Sequence, residues 1–106
     1  MMSKYNNRKV KTSEGTFDSQ KEYRRWCELK LMLRAGEIKE LQRQVKFELI
    51  PKQAGEKAIH YVADFVYIDN RTGQKVVEDS KGAKTDVYII KRKLMLHKYG
   101  IKILET

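Results

Sequence analysis

The chain has 106 residues, 41% of them hydrophobic, and carries 23 Lys+Arg against 14 Asp+Glu for a net charge of +9. That length bounds it to one small domain with a single modest core, and the apolar content excludes a disordered tail. The positive balance favours a polyanion, most simply nucleic acid, and no apolar run approaches the ~20 residues needed to span a bilayer.

Residues 1–8 are polar and basic and read as a flexible basic arm without a signal-peptide pattern; residues 9–106 read as one domain. Lys9 to Phe17 reads as a short extended piece turning at Glu14-Gly15. A helix is expected from about Ser19 to Ala35, because Ser19-Gln20-Lys21-Glu22 has capping-box spacing and Gly36 is a stop signal. Its apolar stripe is Trp26, Leu29 and Leu33. Leu41 to Ile50 reads as extended and ends at Pro51, and a polar loop runs to Lys57. Within this strand Gln42 and Gln44 share a face; it reads as a polar edge, the alternative being that one of the two reaches the site.

Two strands follow, at about Ile59–Ile68 and Gln74–Lys81, joined as a hairpin by Asp69-Asn70-Arg71-Thr72-Gly73. A second helix starts near Thr85 or Asp86 and ends at Gly100, with Val87, Ile90, Leu94 and His97 as its apolar face. Ile101-Lys102-Ile103-Leu104 reads as a short final strand. The order of elements predicts an α/β fold, with helices packed on a central mixed sheet.

The hairpin carries the chemistry. Alternation points Asp79 and Lys81 to one face of their strand and Glu78 and Ser80 to the other, so Glu78 reads as solvated or salt-bridged. The hairpin can bring Asp64 beside Asp79, and two carboxylates with a lysine suit a hard divalent cation and a phosphate ester. Asp64 lies in an apolar strand, where a carboxylate is costly unless paired, hydrogen-bonded or metal-bound; the alternative is a strand end pointing into water. Glu22 has two readings: a cap returning to the backbone N–H of Ser19, or a third carboxylate facing the sheet.

The cations Lys84, Lys91, Arg92 and Lys93 lie at or on the second helix and read as a DNA-backbone surface, with Lys91 bordering the buried stripe and Arg92 outward. The Thr85/Asp86 helix start is a further phosphate site. Cys27 is the single cysteine, so no internal disulfide can form, and no Cys/His cluster has zinc spacing; a reducing cytoplasm fits. Cys27, His60 and His97 read as ordinary core or surface residues.

The segments Phe17-Asp18-Ser19-Gln20-Lys21-Glu22, Tyr61-Val62-Ala63-Asp64-Phe65, Val76-Val77-Glu78-Asp79-Ser80-Lys81-Gly82 and Thr85-Asp86-Val87-Tyr88, leading into Lys91-Arg92-Lys93, together resemble the PD-(D/E)XK nuclease superfamily. More closely they resemble small phage- and prophage-encoded proteins related to Holliday junction resolvases. Ala63-Asp64 stands where the superfamily has Pro-Asp, which leaves the carboxylate in place. The resemblance implies a restriction-endonuclease-like α/β/α core, its central mixed sheet flanked by two main helices. It implies Mg²⁺ (or Mn²⁺) on Asp64 and Asp79, with Glu22 completing the site and Lys81 positioning or activating the attacking water. The implied activity is endonucleolytic hydrolysis of phosphodiester bonds in branched, junction or duplex DNA, during phage recombination or replication in the bacterial host cytoplasm. Paired incision at a junction suits a homodimer. The alternatives are a non-catalytic DNA-binding module with the same fold, and an RNA-processing nuclease.

Overall fold

Each helix begins at a hydroxyl cap. The Ser19 side chain accepts from the backbone N–H of Glu22, and that of Thr85 from the N–H of Tyr88. Helix α1 (Gln20–Arg34) stops just before Gly36, whose φ is +80°, and α2 (Asp86–Tyr99) stops at Gly100, in the left-handed conformation. The computed structural model describes residues 8–80 and 84–106. The proposed arm over 1–8, beyond Arg8, and Lys81 with its role lie outside the described residues.

A small antiparallel hairpin, β1 (Val10–Thr12) with β2 (Gly15–Phe17), precedes α1. The main sheet has the order β3 (Ile38–Ile50), β4 (Ile59–Asp69), β5 (Lys75–Asp79), β6 (Leu104–Glu105). The pairs β3–β4 and β4–β5 are antiparallel and β5–β6 is parallel. The fold is therefore α/β, a four-stranded mixed sheet with two helices.

The helices take opposite faces. Consecutive residues of β5 show it, since side chains alternate along a strand. Val76 packs with Leu29 of α1, Ile38, Phe65 and Tyr67, whereas Val77 packs with Tyr88 and Met95 of α2, Phe47, Tyr61 and Ala63.

Strands β3 and β4 do not keep one alternation throughout. On β4, Phe65 and Tyr67 belong to the α1 layer, but Tyr61 and Ala63 belong to the α2 layer. On β3, Arg43 lies over the Phe17 and Trp26 rings on the α1 side, while Val45 packs on the α2 cluster. Between them stands Gln44, a non-glycine residue at φ +53°. Both strands thus change face at one level, the level of Gln44 and Asp64.

Three packing expectations are corrected. Leu33 is exposed, and Met32 joins Trp26 and Leu29 in packing on the sheet. On α2 the buried residues are Tyr88 and Met95, while Val87 and Ile90 are 62% and 57% exposed and His97 is exposed. The helix has rotated about its axis because an aromatic ring and an unbranched thioether fill the α2 layer. That rotation also turns Arg92 inward, where it is half-buried against Tyr88 and Glu105. The final strand pairs later than expected, at Leu104–Glu105, and Ile103 enters the core.

Candidate functional site

Asp64 and Asp79 stand one step beyond the last paired residues of β4 and β5, Phe65 and Glu78. The hairpin therefore brings the two carboxylate-bearing positions side by side, as expected of a hairpin joined at residues 69–73. The backbone N–H of Ser80 donates to Asp64 Oδ2 at 2.8 Å, which orients that carboxylate toward the end of β5. Asp79 is fully buried, and the Tyr61 hydroxyl donates to its Oδ2 at 2.5 Å. Burial, then the Asp79 carboxylate, push the Tyr61 phenol well above its ordinary range, so it stays a protonated donor.

Glu22 approaches from α1 and is 3% exposed. Its own N–H donates to Ser19 Oγ at 3.1 Å. Its Oε2 accepts from the N–H of Asp18 at 3.2 Å, one residue before the expected Ser19. Its Oε1 accepts from Gln44 Nε2 at 3.2 Å and lies 3.8 Å from Arg43 Nη2. Glu22 thus returns to the backbone ahead of the helix, at Asp18 rather than at Ser19, and lies near enough to Asp64 to feel its charge. Burial first, and the Asp64 charge second, push its carboxyl up to about 7, against the Asp18 N–H and Arg43, which pull it down.

Of the two readings for Gln42 and Gln44, the polar edge was favoured; Gln44 takes the other and reaches Glu22. Its left-handed backbone is uncommon for a side chain of its kind, and such strain concentrates at functional positions. Nothing in the sequence marks it, because Gln is not a residue that favours this conformation. Arg43 is held by the Phe17 ring at 3.7 Å and by the Thr16 carbonyl at 3.1 Å, which places its charge beside Glu22. Tyr61 left a readable signal: a tyrosine in an apolar strand needs a partner for its hydroxyl when buried.

Glu78 lies on the opposite face, buried as completely as Asp79. Arg25 Nε and Nη2 each donate to it at 2.8 Å, and the Tyr67 hydroxyl at 3.1 Å. The salt-bridged reading holds and the solvated one does not. Burial, with Glu78 beside it, pushes the Tyr67 phenol up to about 12.

The expected cationic surface on α2 is divided. Glu105 collects the Tyr88 hydroxyl at 2.6 Å, Arg92 at 3.1 Å and Lys84 at 3.2 Å. The Tyr88 hydrogen bond, with Lys84 and Arg92, holds its carboxyl below the ordinary range. Lys84 and Arg92 are therefore committed within the protein, whereas Lys93 is exposed and Lys91 borders an apolar groove. Among the described residues, no group of three or more His, Cys, Asp or Glu side chains is arranged to hold a metal ion. No described helix is long and apolar enough to cross a membrane.

The model of a family described as "Protein of unknown function (DUF1064)" matches residues 2–104, and the chain belongs to that family. No curated protein and no solved structure matches it.

Proposed function

We propose that this DUF1064 member is a metal-dependent endodeoxyribonuclease of the PD-(D/E)XK type, acting on branched or junction DNA. The observation that carries the reading is the pair Asp64 on β4 and Asp79 on β5, side by side in the hairpin, with Glu22 of α1 outside that pair but pushed up to about 7 by burial and by the Asp64 charge. Carboxylates crowded in this way are costly by themselves, and a hard cation removes the cost.

The donor set fits Mg²⁺ or Mn²⁺, which need one or two carboxylates and take waters and phosphate oxygens for the rest. Asp64 and Asp79 would hold the ion, with Glu22 near enough to Asp64 to feel its charge. When bound, the ion would polarise the scissile phosphate and lower the pKa of a water. The chain's own residues do the positioning. Ser80 N–H fixes Asp64, Tyr61 fixes Asp79, and Gln44 and Asp18 N–H fix the two oxygens of Glu22. Lys81, next but one after Asp79 in the sequence, is proposed to stabilise charge on the attacked phosphate. The net charge of +9 supplies the attraction to DNA.

The test is a panel of end-labelled duplex, flap, four-way-junction and RNA substrates with Mg²⁺, Mn²⁺ or chelator. Cleavage of branched DNA that needs the metal, and is lost in Asp64→Asn and Asp79→Asn, is expected. Tight DNA binding without cleavage under any metal would replace this reading with a non-catalytic binding module. Cleavage of RNA alone would make it an RNA-processing nuclease.

A further inference from the structure

The outward face of α2 and the adjoining ends of β3 and β4 enclose a groove of about 490 Å³ that the nuclease reading does not use. One wall is Val87, Ile90 and Leu94, a stripe at helical spacing; the other is Ile50, Ala58 and Ile59. Val87, Ile90 and Ile59 are substantially exposed, although α2 already buries Tyr88 and Met95 on its other side. Helix α2 is thus apolar on two sides; its own chain covers one and, through Leu94 and Ile50 packed at the edge of the core, only part of the other.

We propose that this groove docks an apolar, helix-forming segment of a partner protein that carries carboxylates on its flanks. The chemistry of the lining selects this occupant. Its polar members are Lys91 and His60, and no acid lines it. Lys91 makes no ion pair or hydrogen bond among the described residues, whereas its neighbours on α2 are engaged: Arg92 on Glu105, and Lys98 on the Glu48 carbonyl. A cation left open at the rim of an aliphatic groove is complementary to an acidic residue beside an apolar anchor.

The other occupants fit less well. Nucleic-acid bases bind on extended aromatic platforms, and the groove offers one imidazole, His60, and no Phe, Tyr or Trp. A second copy related by a two-fold axis would bring the same cationic, acid-free patch of a +9 chain against itself. A bilayer surface receives convex apolar faces, and this one is recessed. The inference does not depend on the nuclease reading.

The experiment uses two synthetic amphipathic helical peptides, each with leucines on one face, one flanked by Glu and the other by Lys. Methyl NMR on the full chain follows Ile59, Ile90 and Leu94. The Glu-flanked peptide is expected to shift these methyls and to bind about tenfold or more tightly than the Lys-flanked one. Ile90→Glu, at an exposed position that leaves folding intact by circular dichroism, should abolish the shifts. Lys91→Glu should invert the preference between the peptides. The proposal is overturned if neither peptide moves the methyls, or if both bind equally whatever their charge. It is equally overturned if duplex DNA moves the same methyls in their place. A wild-type dimer that becomes monomeric in Ile90→Glu would assign the groove to a second copy.

Discussion

Glu78 and Asp79 are neighbours on β5, both fully buried, and they face opposite layers of the protein. Glu78 is clamped by both arms of a guanidinium from α1 and by a phenol. Asp79 accepts from a phenol and stands next to Asp64, whose own charge reaches Glu22. On the α1 side a carboxylate has its counter-charge supplied across the helix–sheet interface, which is an architectural arrangement. Around Asp79, carboxylates from separate elements lie close to one another, Asp64 on β4 with Glu22 of α1 beyond it, and closeness of like charge is what a cation-binding site requires. Two chemically similar residues, adjacent in sequence, therefore differ according to whether a cation or further carboxylates meet them.

The difference can be broken at Arg25. Arg25→Gln leaves Glu78 buried without its cation, and one-sided removal from a buried pair costs about 3 to 5 kcal/mol. Replacing both residues by apolar ones of similar volume should recover most of that loss. Urea denaturation of the single and double variants measures it. A single variant as stable as wild type would show that the clamp is not structural.

Asp79→Asn should behave in the opposite way. It keeps the shape and the Tyr61 partner, so stability should change by less than about 1.5 kcal/mol. Metal-dependent cleavage, followed under single-turnover conditions, should fall by about a hundredfold or more. A variant that unfolds, or that still cuts, would erase the contrast with Glu78.

Glu22 sharpens the same comparison through pH. Its folded value near 7 exceeds the ordinary 4.5, so the folded chain retains a proton that the unfolded chain releases. Stability from this source is complete below about pH 4.5 and declines as pH rises to about 7. The loss is on the order of 3 kcal/mol, with little further change above. Glu22→Gln should abolish that decline. Denaturation measured near pH 5 and pH 8 decides it, and an equal slope in the variant would remove Glu22 as its source.

The smallest effect is expected at the two left-handed positions of β3. Glu40, at φ +55°, is exposed, and Glu40→Gly should stabilise by about 0.5 kcal/mol through relief of strain. Gln44→Gly relieves the same strain but loses the hydrogen bond to Glu22, so it should lower activity without a comparable gain. Thermal melts beside cleavage assays distinguish them.

Element boundaries were largely legible because their signals are local. Ser19 and Thr85 cap, Gly36 and Gly100 stop, and the turn after Asp69 closes the hairpin within a few residues. The juxtaposition of Asp64 and Asp79 was legible for a related reason: a short turn and strand alternation leave little freedom of register. The α2 stripe was not. Val87, Ile90 and Leu94 satisfy helical periodicity as well as Tyr88 and Met95 do, and periodicity cannot choose between two apolar sides of one helix. Tyr88 bonding to Glu105 and Met95 filling the core made the choice.

By itself, then, the chain's sequence determined the elements, their caps, the hairpin and the placement of two carboxylates, all set by interactions spanning few residues. Tertiary structure alone decided that Arg25 meets Glu78 across 53 residues, that Gln44 rather than Gln42 reaches Glu22, and that Glu105 pairs with Lys84 and Arg92. It also decided that β3 and β4 change face together beside Asp64. Each of these depends on how a helix or strand is rotated once packed. That rotation minimises the burial cost of the whole assembly, which no short window of residues encodes.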